Sequence, residues 1–214
     1  MRKAADWYFD FVSPFPYLQM ARFDDDVRSV IRPRPVLFAG LLNHWGHKGP
    51  AEIPSKALHT YCLTHFIAKT RRLAFKGPPR HPFNPLAVLR LALSLNASFE
   101  VVEVIYRHIW GDGNDGQSPE SLVALGAKLG IDDVDARIAD NAVKAELRAN
   151  TEEAITRGVF GVPTLHLDGR LFWGDDATDM YLAFRRDPTM FDVPEFKRLQ
   201  TVTPAAVRPK AVAS

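Results

Sequence analysis

One stretch near the start of the chain, residues 7–20 (WYFDFVSPFPYLQM), constrains the fold most. Its first six residues are aromatic or β-branched except for one aspartate, which predicts a strand over residues 7–12. Pro14 lacks an N–H and has a fixed φ, so it suits the first turn of a helix and places Ser13 at the N-cap. The start of a helix stabilises an anion, but a Ser-Pro step is also an ordinary helix start without chemistry.

A second informative stretch lies far down the chain, at residues 158–176 (GVFGVPTLHLDGRLFWGDD). Two short apolar runs, residues 165–167 and 170–173, flank the pair Asp168-Gly169. An Asp-Gly pair between two such runs is a strong signal for a β-hairpin. The sequence therefore predicts a hairpin here, followed by a final helix.

The region between these stretches is mainly helical by pattern. Residues 32–38 predict a second strand, and residues 41–56 predict a long loop punctuated by glycine and proline. Hydrophobic spacing then predicts helices over residues 57–75, 86–95, 99–110, 122–129, 134–139 and 141–157. A further helix start is predicted at Pro119, with Ser118 before it.

In this order the elements resemble the α/β thioredoxin-like fold with an all-helical insertion. The opening Ser-Pro-Phe-x-Tyr and the ending Phe-Gly-Val-Pro-Thr … Phe-Trp-Gly-x-Asp are similar to those of 2-hydroxychromene-2-carboxylate isomerases and kappa-class glutathione transferases. The resemblance covers about residues 5–186. It implies a cis Val162–Pro163 bond, with Val162 facing Ser13.

The same pattern predicts how the chain divides into domains. Residues 5–40 and 158–190 form a discontinuous thioredoxin-like domain, and residues 41–157 form the helical insertion. Residues 203–214 are expected to be a disordered tail, since they carry no periodic apolar pattern and lie at a terminus.

Ser13 stands where thioredoxin-like oxidoreductases carry a cysteine nucleophile. A serine cannot exchange disulfides, and no G-x-S-x-G motif frames Ser13 as a hydrolase nucleophile. The resemblance implies glutathione as cofactor and Ser13 as the catalytic residue, donating a hydrogen bond to its thiolate. Because a free thiol has a pKa near 8.5, lowering it by about one to two units makes the thiolate a major species at pH 7.

The resemblance also implies how glutathione is held. Val162 and Pro163 would meet the cysteinyl backbone, and Lys56, aided by His47, would meet the glycyl carboxylate. The γ-glutamyl end would be received by four consecutive residues: Trp173, Gly174, Asp175 and Asp176, the last as partner of the ammonium. The alternative interpretation is that the two aspartates simply cap a helix and that Lys56 is a solvated surface lysine. The chain departs from the family at Ala177, where an arginine is usual.

The acceptor pocket implied by the resemblance contains Tyr17, Phe83 and Asn84. Asn84 reads equally well as a cap for a helix beginning near Pro85. Cys62 is interpreted as an inert core residue, and Arg71-Arg72 as a solvated face. The histidines match no zinc-binding motif, so no metal is expected. These histidines are His44, His47, His59 and His65.

Charge and cysteine content indicate which partners and which cellular compartment to expect. A formal net charge of +2 over 214 residues gives no case for nucleic-acid or membrane binding. The opening MRKAADWYFDFV has too short an apolar run for a signal peptide, and no later run reaches membrane-span length. A single cysteine excludes an intrachain disulfide. We therefore expect a cytoplasmic protein.

Three functions remain open on these grounds. The first is a glutathione-dependent isomerase, in which the thiolate adds to an aromatic-acid intermediate, permits ring opening and bond rotation, and is then eliminated. The second is a kappa-class-like transferase that conjugates or reduces an electrophile, and the third is a non-catalytic glutathione- or peptide-binding module. The family resemblance implies a homodimer. The isomerases place a lysine near Leu42 that this chain lacks, so the substrate stays open.

Overall fold

The computed structural model describes residues 4–206, and its centre is a four-stranded sheet. The strands are β1 (Ala5–Phe9), β2 (Ile31–Pro35), β3 (Thr164–Leu167) and β4 (Arg170–Trp173). They lie in the order β2-β1-β3-β4. The β1 and β2 strands are parallel, whereas β3 is antiparallel to both β1 and β4.

Most of the helices lie between β2 and β3 along the chain. The helices are α1 (Phe15–Met20), α2 (Asp25–Arg28), α3 (Phe38–Trp45), α4 (Pro54–Thr70), α5 (Leu86–Ser94), α6 (Phe99–Tyr106), α7 (Pro119–Leu129), α8 (Val134–Ala139), α9 (Asn141–Thr156), α10 (Thr178–Arg186) and α11 (Pro194–Leu199). None of the helices within residues 4–206 is long and apolar enough to cross a membrane.

The predicted hairpin is confirmed. Leu165 pairs with Phe172 and Leu167 with Arg170. Asp168 and Gly169 both have positive φ, 50° and 76°, as the tight turns that match strand twist require. The helices predicted over residues 86–95, 122–129, 134–139 and 141–157 are confirmed as α5, α7, α8 and α9, and Ser118 caps α7 by accepting from the Ser121 N–H.

The first strand is shorter than predicted, because β1 ends at Phe9 and not at residue 12. The side chain of Asp10 accepts hydrogen bonds from the backbone N–H groups of Val12 and Phe38, which turns the chain out of the sheet. The N-cap assignment was also wrong by one residue. Pro14 is the N-cap of α1, and no side chain caps this helix.

The predicted loop over residues 41–56 was wrong at its start. The structure has helix α3 there, and Phe38, predicted in a strand, is its first residue. Gly46 adopts a left-handed conformation (φ 65°) just after Trp45, so this glycine ends a helix. A short 3₁₀ turn, Pro50–Glu52, then leads into α4.

Helix α4 starts three residues earlier than predicted and ends at Thr70, since Arg72 is left-handed (φ 56°). Its buried residues are Thr64 and Ala68. Cys62 is exposed, so its assignment to the core was wrong. Its neighbours Leu58 and Phe66 are exposed as well.

The helix predicted over residues 99–110 is an α-helix only as far as Tyr106. It then widens into a π-helical segment, Arg107–Gly111, in which His108, Ile109 and Trp110 are buried. A π-helical turn is a rare bulge within an α-helix and occurs often at functional sites.

The chain divides into two compact units after Thr178. In the second unit, Phe191 stacks on Phe184 and meets Phe196 edge to face. The division into residues 5–40 with 158–190 and 41–157 stays a prediction. Of the expected disordered tail, residues 207–214 lie outside the described residues.

Candidate functional site

Four chain segments meet at one end of the sheet. Phe9 pairs with Pro35, so β1 and its parallel neighbour β2 end together. Thr164 pairs with both Tyr8 and Trp173, so the start of β3 and the end of β4 lie at that same end. The residues just beyond these strand ends are therefore brought together. They include Ser13, Val162, Pro163 and Gly174, which the sequence assigned to one site.

Ser13 lies in the turn between β1 and α1 and is 9% exposed. Its backbone N–H donates to the Asp10 carbonyl at 3.1 Å, which closes the turn. Within residues 4–206, no hydrogen bond engages the Ser13 hydroxyl. A hydroxyl that neither caps the helix nor pairs with a neighbour keeps its donor for a ligand.

Asp10 is the buried acid of this turn. Its side chain is fully buried, and each carboxylate oxygen accepts one backbone N–H, at 3.0 Å from Val12 and 2.8 Å from Phe38. Burial raises its pKa to about 7, and the two N–H donors oppose this rise only in part. The sequence pattern gave no signal for this role, because Asp10 stands inside a run that predicts strand.

Val162 and Pro163 precede β3, and the peptide bond between them is cis. The side chain of Val162 is buried in a cluster with Tyr8, Leu41 and Val159. Its backbone differs from that of its neighbours, since no hydrogen bond between described residues uses its N–H or carbonyl. Unpaired backbone groups at a sheet end are a place where another peptide can add.

The segment after β4 is firmly anchored. The Gly174 N–H donates to the Pro163 carbonyl at 2.8 Å, and Gly174 has a φ of 94°. A Cβ at this glycine would meet the Asp176 carboxylate, which is exposed and can move aside, so it is the positive φ that favours glycine here. Trp173 is 53% exposed and packs against Phe160 with ring centres 5.1 Å apart.

The two aspartates of this segment have different surroundings. Asp175 is 6% exposed, and both of its carboxylate oxygens are paired with the Arg71 guanidinium, at 2.8 and 2.7 Å. Arg71 also donates to the Leu18 carbonyl at 2.9 Å, so its assignment to a solvated face was wrong. Asp176 is exposed, and no ion pair joins it to another residue in the described part of the chain.

Gln19 is a further residue of the site that the sequence did not reveal. Its side-chain amide donates to the Gly174 carbonyl at 2.9 Å and to the Thr178 hydroxyl at 3.0 Å. Its side-chain oxygen accepts from the Trp7 indole at 2.7 Å. Helix α1 is thus tied both to β1 and to the segment that follows β4. A glutamine in the apolar face of a helix was the one available signal.

His47 lies just after α3, and Lys56 lies at the start of α4. Lys56 is in the first turn of α4, and His47 follows the end of α3, where its N–H donates to the Leu42 carbonyl at 2.9 Å. Both side chains are exposed, and neither pairs with another of residues 4–206. Their charge and imidazole groups are therefore available to a ligand.

The three predicted pocket residues have different surroundings. Tyr17 is buried and donates its hydroxyl to the Ala74 carbonyl at 2.9 Å. Phe83 is buried against Gly116, where a Cβ would overlap its ring. Asn84 is exposed in an open depression, and its side-chain oxygen accepts from the Leu86 N–H at 3.1 Å. This bond matches the capping alternative.

Histidine, cysteine and acidic side chains do not converge in groups of three that would hold a metal ion, within residues 4–206. The donors at the sheet end are instead a hydroxyl, backbone groups and carboxylates. Such a set can offer hydrogen bonds and negative charge to a ligand.

Comparison with known proteins places this geometry in a family. The profile of the DSBA-like thioredoxin domain matches residues 5–184. The chain belongs to that family. The thioredoxin-like fold with many added helices, which the sequence predicted, is confirmed.

Among curated relatives, a 2-hydroxychromene-2-carboxylate isomerase of Sphingobium xenophagum is 29% identical over 203 residues, covering 87% of this chain and all of that protein. Human glutathione S-transferase kappa 1 is 24% identical over 218 residues, covering 90% of this chain and 95% of that protein. The solved structure of a 2-hydroxychromene-2-carboxylate isomerase superposes with a TM-score of 0.77 at 24% identity, covering 88% of this chain and 98% of that one. The predicted resemblance to these two groups is confirmed.

Proposed function

We propose that this protein is a glutathione-dependent isomerase of the 2-hydroxychromene-2-carboxylate isomerase type. It would act on an aromatic-acid intermediate, with Ser13 stabilising the glutathione thiolate. The observation that carries the proposal is the unpaired Ser13 hydroxyl at the same sheet end as the unpaired backbone of Val162. The isomerase and transferase relatives, which match over most of their length, support it.

The residues present suit glutathione in most respects. A tripeptide needs free backbone groups to pair with, a cation for its glycyl carboxylate and an anion for its ammonium. Val162 offers the first, Lys56 the second and Asp176 the third, and all three are without partners within residues 4–206. When bound, glutathione supplies a thiol that can add reversibly to an electrophilic carbon.

The role of Ser13 follows from thiol chemistry. Its hydroxyl would donate one hydrogen bond to the sulfur, which favours the ionised form over the neutral thiol. One donor of this kind lowers a thiol pKa by about one unit, which corresponds to about 1.4 kcal/mol. Because Ser13 cannot itself form a disulfide, the thiolate it stabilises is kept for addition to substrate.

Asp175 has a different role from the one first assigned. Its carboxylate is already paired with Arg71 through both oxygens. In our proposal it holds the segment 173–176 in place, and Asp176 alone meets the γ-glutamyl ammonium. The exposed Trp173 covers the ligand from the side of Gly161, where a Cβ would collide with the indole.

The remaining assignments are proposals on the strength of the relatives. His47 assists Lys56 at the glycyl end, Pro163 shapes the backbone at Val162, and the aromatic acceptor binds on the side of Phe83 and Asn84. We further propose that the protein works as a homodimer in the cytoplasm.

Three measurements test the proposed function: glutathione binding, product formation and total thiol. Calorimetry with glutathione measures binding. Incubation with glutathione and 2-hydroxychromene-2-carboxylate or related aromatic acids is then followed by product analysis and by titration of total thiol. The proposal expects binding, isomerised product and unchanged total thiol.

Each other outcome has a defined meaning. Consumption of thiol with a chloronitrobenzene, without isomerisation of any acid, would make the protein a kappa-like transferase. Binding without either reaction would leave a glutathione-binding module. Absence of glutathione binding would reject the isomerase and the transferase, and would leave only a module that binds another peptide.

A further inference from the structure

Three consecutive carbonyls just before Ser13 are each bound by a side chain from the helical region. The Tyr106 hydroxyl donates to the Asp10 carbonyl at 3.0 Å. The Trp110 indole donates to the Phe11 carbonyl at 2.8 Å. The third bond joins His81 to the Val12 carbonyl, again at 2.8 Å.

The protonation of His81 follows from its partners. A carbonyl only accepts, so Nε2 of His81 carries the hydrogen that meets Val12. Nδ1 is then the acceptor for the Tyr61 hydroxyl, which lies 2.8 Å away. Burial lowers the pKa of His81, and this keeps the ring neutral near pH 7. The imidazole is thus fixed in one tautomer by two hydrogen bonds.

All three donors are held in place by packing. Tyr106 and Trp110 are almost wholly buried, and they lie on either side of the point where α6 widens into its π-helical segment. The His81 ring meets the Trp110 ring edge to face at 5.3 Å. The three donors therefore form one rigid group and not three separate contacts.

We propose that Tyr106, Trp110 and His81 act together as positioning residues for Ser13, a group that we name the carbonyl clamp. The three carbonyls before Ser13 and the N–H groups of Val12 and Ser13 are all engaged, while the Ser13 hydroxyl is left without a partner. Because the backbone that leads to Ser13 is held in this way, its hydroxyl stays in one place and loses little entropy when a ligand binds. The helical region thereby sets the geometry of a residue that belongs to the sheet.

This inference deepens the proposed function and rests on it for its catalytic meaning. The claim that the clamp holds the backbone before Ser13 does not depend on the proposed function, because it concerns the free protein. The two parts are therefore tested by separate readouts on the same variants.

The first readout is amide hydrogen exchange of Ser13 in the free protein, followed by NMR. The variants are His81→Phe, which keeps a ring beside Trp110 but loses the donor, and Tyr106→Phe, which loses only a hydroxyl. Each should speed exchange of the Ser13 N–H at least about fivefold, since a looser turn opens more often. His81→Gln, whose side-chain amide can donate to Val12, should restore slow exchange, and the exposed His59 changed to Phe serves as control.

The second readout is the pKa of the thiol of bound glutathione, from thiolate absorbance near 240 nm against pH. His81→Phe should raise it in the same direction as Ser13→Ala, and His81→Gln should return it to the wild-type value. Because the clamp acts through Ser13, the double variant Ser13→Ala/His81→Phe should match Ser13→Ala alone. The dissociation constant of glutathione should change less than about threefold, since the charged ends are bound elsewhere.

The outcomes separate the clamp from the proposed function. Unchanged Ser13 exchange in both His81→Phe and Tyr106→Phe overturns the clamp. Faster exchange with an unchanged thiol pKa in His81→Phe also overturns it, provided that Ser13→Ala raises that pKa. If Ser13→Ala has no effect on the thiol, the proposed role of Ser13 fails, and the exchange data alone decide on the clamp.

Discussion

Arg71 and Asp175, 104 positions apart in the chain, are joined through two guanidinium nitrogens and both carboxylate oxygens. The carboxylate is nearly buried, whereas the arginine side chain is 28% exposed. Such a two-bond pair fixes direction as well as distance. It fastens the end of α4 to the segment that carries Asp176, so the shape of the candidate glutathione site depends on a contact outside it.

Removing this arginine should destabilise the protein. In Arg71→Met the aliphatic stem is kept, but the Asp175 carboxylate is left buried without its cation. We expect the free energy of unfolding to fall by about 2–4 kcal/mol, measured by urea denaturation at pH 7. The neighbouring exposed residue gives the control, because Arg72→Met should change stability by less than about 0.5 kcal/mol. Equal stability of the two variants would show that the ion pair contributes nothing.

Ser13→Ala should separate activation of the thiol from its binding. The variant should fold normally, since no hydrogen bond within residues 4–206 depends on the Ser13 hydroxyl. The pKa of bound glutathione should rise by about one unit, and the saturated rate should fall about tenfold at pH 7, because less thiolate is present. The exposed serine at the end of α2 provides the control variant, Ser29→Ala. Superimposable titration curves for Ser13→Ala and wild type would exclude Ser13 from thiolate stabilisation.

The parts of the fold that the sequence predicted have local causes. The strand-turn-helix at Ser13-Pro14 and the hairpin at Asp168-Gly169 follow from residues within a few positions of one another. Proline geometry and the positive φ of an Asp-Gly turn operate whatever the rest of the chain does. These two elements supply three of the four strands of the sheet, β1, β3 and β4.

The errors arose where a distant partner decides the outcome. Asp10 ends β1 because its carboxylate receives the Phe38 N–H from another segment. Gly46 was taken as part of a loop, although it ends a helix whose residue Leu41 is buried. Each of these residues has a local pattern that fits two structures, and packing selects between them.

The candidate site was predictable to a similar extent. Ser13, Val162 and Gly174 were predicted from the motif resemblance, and the strand register brings their segments to one end of the sheet. Arg71 and Gln19 were missed, because an arginine or glutamine on a helix looks the same in sequence whether it is solvated or bridges two elements. Only the partner distinguishes the two, and it lies more than 100 positions away.

Lys56 and Asp176 should control affinity and not the chemical step. Both are exposed, so each charge pair with glutathione should contribute only about 0.5–1 kcal/mol. Lys56→Ala and Asp176→Asn should each raise the glutathione concentration for half-maximal rate about two- to fivefold and leave the saturated rate almost unchanged. Lys69→Ala, at an exposed position on the same helix, is the matched control. If both variants keep the wild-type glutathione dependence, the proposed ligand orientation is wrong.

Ala177→Arg should tighten glutathione binding. The motif resemblance implies an arginine after the aspartate that corresponds to Asp176, and this chain has alanine there. An added cation beside the γ-glutamyl carboxylate should lower the dissociation constant about threefold, as expected for an exposed pair. Calorimetry at low and high salt checks this, because the gain should shrink as salt screens the charge. An equal gain from Ala177→Gln would point to contact area and not to charge.

Asp10 should make stability depend on pH in the direction opposite to that of a salt-bridged acid. Its pKa is about 7 in the folded protein and near the model-compound value of 3.8 when unfolded, so the folded state holds the proton more tightly. Its contribution to stability is therefore complete below about pH 4 and is lost as the pH rises through 7, a change of about 4 kcal/mol.

In Asp10→Asn this contribution cannot titrate. Urea denaturation at several pH values should show the stability of wild type relative to Asp10→Asn falling between pH 4 and 8. A difference that stays constant over this range would mean that Asp10 is ionised in the folded protein throughout, with the Val12 and Phe38 N–H groups compensating fully for its burial.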